Sequence, residues 1–160
     1  MNTHEARSQI GLLREWKREV DSFTIRLVEA IPADKSSFRP VPSTLTLAEI
    51  VFHLAECEME LDRDLIRNLQ LGESIPEHFG EMRVESSREY LKDILTFSDT
   101  ILRGLSDSDL CREIVFPGCT DSMTVRQVMK TMIEHQLHHR GQILTYFRCL
   151  DLEPPKHWTD

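Results

Sequence analysis

Three Ser/Thr-x-x-Glu/Gln motifs, Thr46-Leu47-Ala48-Glu49, Ser86-Ser87-Arg88-Glu89 and Thr124-Val125-Arg126-Gln127, each stand at the head of a stretch whose apolar residues recur at helical spacing. In such a capping box the hydroxyl and the acidic or amide group three residues on satisfy backbone donors that the first helical turn leaves free, so each motif marks a helix start. Together with an N-terminal stretch of the same periodicity, the motifs commit most of the chain to long helices.

From about Asn2 to Ile31, the apolar residues Leu13, Trp16, Val20, Phe23, Leu27 and Ile31 fall on one narrow arc, and Pro32 ends that first helix. Pro32, Pro40 and Pro42 mark a connection of about a dozen residues, longer than bundle turns usually are, which is expected to lie over one end of the core. The second helix runs from Thr46 to about Leu71, stopping before Gly72, with Ile50, Leu54, Leu61, Leu65 and Asn68 on its buried side. Gly72 to Gly80 reads as a loop. Leu91, Ile94, Leu95, Ile101, Leu102 and Leu105 make the third helix amphipathic. Glu113-Ile114-Val115-Phe116 reads as a short extended piece before Pro117-Gly118, too brief to imply a sheet. The fourth helix runs from Thr124 to about Leu150, ahead of Pro154-Pro155. Gly141 lies inside it, where it costs about 1 kcal/mol relative to Ala, and is expected to admit close approach of another helix. The expected fold is an all-α four-helix bundle with long connections, one domain over residues 1–160.

A formal charge of -8 argues against a sequence-independent grip on nucleic acid, which needs clustered Lys and Arg. No apolar run approaches the roughly 20 residues of a membrane span, and the N-terminus lacks the regions of a signal peptide, so the expected compartment is the cytoplasm. Cys57, Cys111, Cys119 and Cys149 are widely spaced and form no C-x-x-C pair, which leaves reduced thiols as the expectation.

His135 and His139 are four residues apart and project from neighbouring turns of one helical face. That face is the apolar stripe of the fourth helix, with Val125, Val128, Met132, Ile143, Tyr146 and Leu150. Two neutral imidazoles there would be unusual buried polar groups without partners. From the spacing alone, a pair of core-edge histidines satisfied by hydrogen bonds explains the pattern equally well. A catalytic zinc-type site needs a third ligand, and His53, at the edge of the second helix's buried stripe, offers one. Glu56, Glu60, Asp64 and Cys57 cluster about His53 on the helical wheel. Glu56 and Glu60 are the candidates for an additional ligand or general base, against a plain solvated acidic face. Gln142 is placed to orient ligands or substrate from behind the histidines. His138 points about 60° away from His135 and reads as solvated. Arg140 reads as an ion-pair residue and Cys57 as a small apolar one. A second apolar stripe, Ile133, Leu137 and Leu144, suggests a homodimer contact unless helices one and three cover it.

The segment His135-x-x-x-His139-Arg140-Gly141-Gln142-Ile143, followed by Tyr146-Phe147-Arg148 and Pro154-Pro155, resembles the C-terminal signature of the DinB/YfiT-like family of metal-binding four-helix bundles. Phe38-x-Pro40-x-Pro42 and Thr46-Leu47-Ala48-Glu49-Ile50-Val51-x-His53-Leu54 resemble the segment carrying that family's first histidine. Where many members have a Trp before this helix, the chain has Thr44-Leu45-Thr46. The resemblance implies that His53, His135 and His139 hold one divalent ion, with Zn, Ni and Fe all compatible with three imidazoles. It implies first an enzyme transferring a low-molecular-weight thiol to an electrophilic small-molecule substrate. The alternatives are a hydrolase using metal-bound hydroxide and a metal-binding stress protein without turnover. No nucleic-acid or membrane partner is expected.

Overall fold

The computed structural model describes residues 8–81, 83–117 and 121–156. Four helices dominate it: α1 Gln9–Glu29, α2 Leu47–Leu69, α3 Ser87–Arg103 and α4 Val125–Cys149. The part of the first expected helix at residues 2–7 lies outside the described residues.

Two of the three expected capping boxes form. Thr46 Oγ1 accepts from Glu49 N while Glu49 accepts from Thr46 N, and Thr124 and Gln127 do the same at α4. The third does not. Ser86 has φ -106° and ψ 12°, outside the extended conformation a cap needs, because a short 3₁₀ turn, Val84–Ser86, runs straight into α3. The neighbouring Ser87 hydroxyl donates instead to Ala48 O of α2. At the other end of α2, Gln70 rather than Gly72 takes the left-handed terminating position, with φ 55°. Helix α1 is capped by Ser8, and its next free amides, Gln9 N and Ile10 N, donate to the Asp107 carboxylate from the α3–α4 connection at 3.1 and 2.8 Å.

The core falls into two apolar clusters. One gathers Phe23, Leu27, Leu47, Ile50, Leu54, Leu91, Leu95, Ile143 and Phe147; the other Ile10, Leu65, Leu69, Leu102, Leu110, Val128, Met129 and Met132. Helices α1 and α4 run from the second cluster to the first, whereas α2 and α3 run the opposite way. The bundle is therefore up, down, down, up, with α1 and α2 each packed on both α3 and α4. Parallel α2 and α3 require a connection the length of the bundle. The 23 residues of α2 rise about 34 Å, and the chain from Gln70 to Ser86 can span about 56 Å when extended. On the way, the expected loop forms a 3₁₀ turn at Glu77–Glu81 and drives Phe79 into the first cluster.

The proline-rich connection between α1 and α2 lies over one end of the core as expected. Phe38 packs edge-on to Tyr146, whose hydroxyl donates to Leu45 O at 2.9 Å. Carbonyls of Phe38 and Ser36 accept from Leu47 N and Ala48 N in the first turn of α2. The extended piece near residue 113 does find a partner: β1 Glu113–Val115 pairs antiparallel with β2 Ser122–Thr124. Asn68 of α2 holds this ribbon by accepting from Val115 N and donating to Val115 O.

Of the second apolar stripe on α4, Ile133 is buried and Leu144 packs on the first cluster, while Leu137 is 40% exposed. No helix among the described residues is long and apolar enough to cross a membrane. Cys57, Cys111 and Cys149 are free thiols. The expectation for Gly141 fails: a Cβ there would meet nothing within 4 Å. Gly141→Ala should consequently stabilise the fold by up to about 1 kcal/mol, seen as a higher urea midpoint with unchanged slope.

Candidate metal centre

The triad forms where α2 and α4 face each other. His53 Nε2 lies 3.2 Å and His139 Nε2 3.0 Å from His135 Nε2, and the three donor atoms fall within 4.8 Å of one another. Three like lone pairs converging at hydrogen-bond separation is the spacing that a divalent ion with bonds of about 2.0–2.1 Å would bridge. Among the described residues no cysteine or carboxylate joins them, so the protein supplies three donors and leaves the remaining positions open.

Each ring is presented by a different set of contacts. His139, 6% exposed, has its Nδ1 against Gln142 Oε1 at 2.7 Å; an amide oxygen only accepts, so Nδ1 carries the proton and Nε2 offers its lone pair. The amide's other end, Gln142 Nε2, donates to His138 Nε2 at 3.2 Å. His138 is exposed and outside the triad, as expected, but it steadies the residue that steadies a ligand. His53 Nδ1 meets Cys57 Sγ at 3.5 Å.

Desolvation pulls His139 down from 6.5 to about 4, helped by the neighbouring imidazoles and only partly opposed by the Gln142 contact. Desolvation, then His53, lowers His135 as well. Neutral imidazoles are the form a metal requires. Burial, followed by the charges of Glu60 and Glu56, pushes the Cys57 thiol up to about 11, so it stays protonated beside His53.

Glu56 is half-buried and Glu60 exposed. Both lie near enough to act on Cys57, yet neither is drawn into the triad. Asp64 is not solvated; it is buried and bonded to Arg67 at 2.7 Å. Arg140 has no carboxylate partner among the described residues. Its guanidinium lies 4.4 Å from the centre of the Phe23 ring instead.

Sequence reasoning missed the polar layer beside the triad. Lys17 Nζ lies 2.6 Å from Glu58 and 3.0 Å from Asp21, Ser98 donates to Glu58 at 3.0 Å, and Gln136 donates to Asp21 at 2.6 Å. These groups, with Asp62, come from all four helices and separate the two apolar clusters.

The Gln142 contact carries an expected outcome. Gln142→Ala should weaken zinc binding by about 10–100-fold by freeing His139 to rotate and change tautomer. His138→Ala, acting one bond further back, should cost less; competition titration against a chromophoric chelator ranks the two.

The DinB family model matches residues 1–157. Bacillus subtilis YjoA, an uncharacterized protein, is 26% identical over 127 residues, covering 78% of this chain and 80% of YjoA. The crystal structure of that DinB-like protein superimposes with a TM-score of 0.72 at 20% identity, covering 92% of this chain and 98% of YjoA. A DinB-like protein from Bacillus cereus gives 0.72 at 20% identity, over 94% of this chain and 97% of the other. YfiT from Bacillus subtilis, described as a probable metal-dependent hydrolase with an unusual four-helix bundle topology, gives 0.72 at 17% identity, over 96% and 95%.

Proposed function

We propose that this chain, which belongs to the DinB family, is a metal-dependent enzyme of the hydrolytic kind holding one divalent ion on His53, His135 and His139. The observation that carries this reading is the convergence of three imidazole nitrogens in a group that no cysteine or carboxylate among the described residues joins. A closed shell of four protein ligands would suit a structural ion, whereas three suit one that must accept substrate. Such an ion would polarise a substrate oxygen and acidify water; zinc, nickel and iron all accept an all-imidazole set. YfiT's description as a probable metal-dependent hydrolase supports the reaction class.

The chain's own part is orientation and proton transfer. Gln142 and His138 hold His139, and Cys57 contacts the far nitrogen of His53. Glu56, half-buried one turn after His53, is the proposed base, with exposed Glu60 the alternative. Zinc-, nickel- and iron-loaded protein should hydrolyse some member of a panel of esters and amides. Glu56→Gln should then lower kcat by about 10²–10⁴-fold with metal affinity retained. No hydrolysis by any loaded form would remove the proposal.

Thiol transfer is the second reading, favoured by the same open positions, since a thiolate is a good ligand for these ions. Glu56 and Glu60 weigh against it, because low-molecular-weight thiols commonly carry carboxylates that these side chains would repel. Cobalt-substituted protein decides between the two: a charge-transfer band appearing on addition of thiol would put thiol ahead of water.

A further inference from the structure

On the opposite side of the bundle from the triad, α1 and α3 leave a groove of about 470 Å³ between them. Its wall carries Arg18, Arg26 and Arg103 in a protein whose formal charge is -8. The local balance is reversed because one carboxylate serves several guanidiniums. Asp99 lies 2.9 Å from Arg14, 2.9 Å from Arg103 and 4.0 Å from Arg18. The other acid in the groove, Asp21, is already taken by Lys17 and Gln136. Arg26 has no ion pair among the described residues, and its Nε is buried without a hydrogen-bond partner. Its guanidinium lies 5.5 Å from the centre of the Phe23 ring, which Arg140 of α4 also faces. Three guanidiniums, from Arg14, Arg18 and Arg103, thus share Asp99, while Arg26 on the same wall has no ion pair among the described residues, which leaves the groove's arginines in excess of its carboxylates. Ile25 and Leu95 give the same groove an apolar wall.

We propose that this α1–α3 groove binds a small phosphate monoester with an apolar body, the dianion held by Arg26 with Arg103 and Arg18 and the body laid against Ile25 and Leu95. A dianion matches the charge excess better than a carboxylate, and the planar fork of Arg suits the phosphoryl oxygens. The site is separate from the triad, which opens between α2 and α4.

The test is a titration of zinc-loaded, isotope-labelled protein with phenyl phosphate, followed by NMR shifts at Ile25, Leu95, Thr96 and Thr100 and, separately, on α4 at the triad. Saturable shifts in the groove are expected, with benzoate binding more weakly. Arg26→Gln should weaken phenyl phosphate by about tenfold or more, the loss of a charge-assisted hydrogen bond, with zinc affinity at the triad unchanged. Arg103→Gln, at an exposed position, should weaken it too and guards against a folding defect in the first variant. Shifts confined to the triad, no shift at millimolar phenyl phosphate, or equal affinity in both variants would overturn the proposal.

Discussion

Replacing any one of His53, His135 or His139 by Ala should weaken divalent-metal binding by more than about 100-fold, beyond the 10–100-fold expected for a supporting group. The reason is geometric. The three ligand nitrogens lie within 4.8 Å of one another, and no other described Cys or carboxylate completes a group with them. Turnover should disappear with the metal, whichever reaction it supports. The fold should survive, because both apolar clusters are complete without the ion. Circular dichroism should therefore match the native spectrum in each variant while metal analysis after gel filtration shows an empty protein; stoichiometric metal in all three single variants would rule out the triad as the site. The metal-free protein has a related acid limit. His139 sits at about 4 in the fold against 6.5 when free, so the unfolded chain takes up that proton first. Stability should fall as pH drops from 6.5 towards 4, and His139→Ala should flatten this part of the profile.

The triad was legible in the sequence because its signals are local or repeat at fixed spacing. His135 and His139 announce a shared face by their separation, and the Thr46 capping box fixes the phase of α2 that turns His53 inward. The Ser86 box was misleading since its residues match the motif while a preceding 3₁₀ turn denies Ser86 the required backbone. The pairing of β1 with β2 escaped notice because a three-residue strand has almost no periodicity to read. Topology was hidden for a different reason: parallel α2 and α3 follow from which ends of the helices share a cluster, and apolar stripes alone carry no direction. The polar layer was partly visible. Glu58 falls about 40° from Leu54 on the α2 wheel and Lys17 about 40° from Leu13 on α1, inside stripes otherwise apolar. On a wheel alone, each is an interruption at a stripe's margin. Only their meeting at 2.6 Å shows that the interruptions match.

The same layer sets much of the protein's stability. Lys17, 2% exposed, has its ammonium between Glu58 and Asp21; burial works to lower its proton affinity, but the two carboxylates outweigh burial and raise it. Lys17→Met should destabilise the protein by about 3–5 kcal/mol, because it leaves buried carboxylates without their counter-ion. That is a large fraction of a typical total of about 5–15 kcal/mol. Lys17→Met combined with Glu58→Gln should recover part of the loss, the double-mutant signature of a coupled pair. Asp62 predicts the opposite sign. It is fully buried, neither carboxylate oxygen has a hydrogen-bond partner, and the one proton of nearby Ser98 goes to Glu58. Burial, then the charge of Glu58, holds Asp62 well above its ordinary 3.8. A carboxyl raised in the fold binds its proton more tightly there than in the unfolded chain, so its contribution is present in acid and is lost as pH rises through the folded value. Asp62→Asn removes that penalty. The variant should match the native protein below about pH 4 and become progressively more stable than it as pH rises. Urea melts at several pH values measure the divergence, and a variant less stable at every pH would show that the carboxylate has a partner that Asn cannot replace.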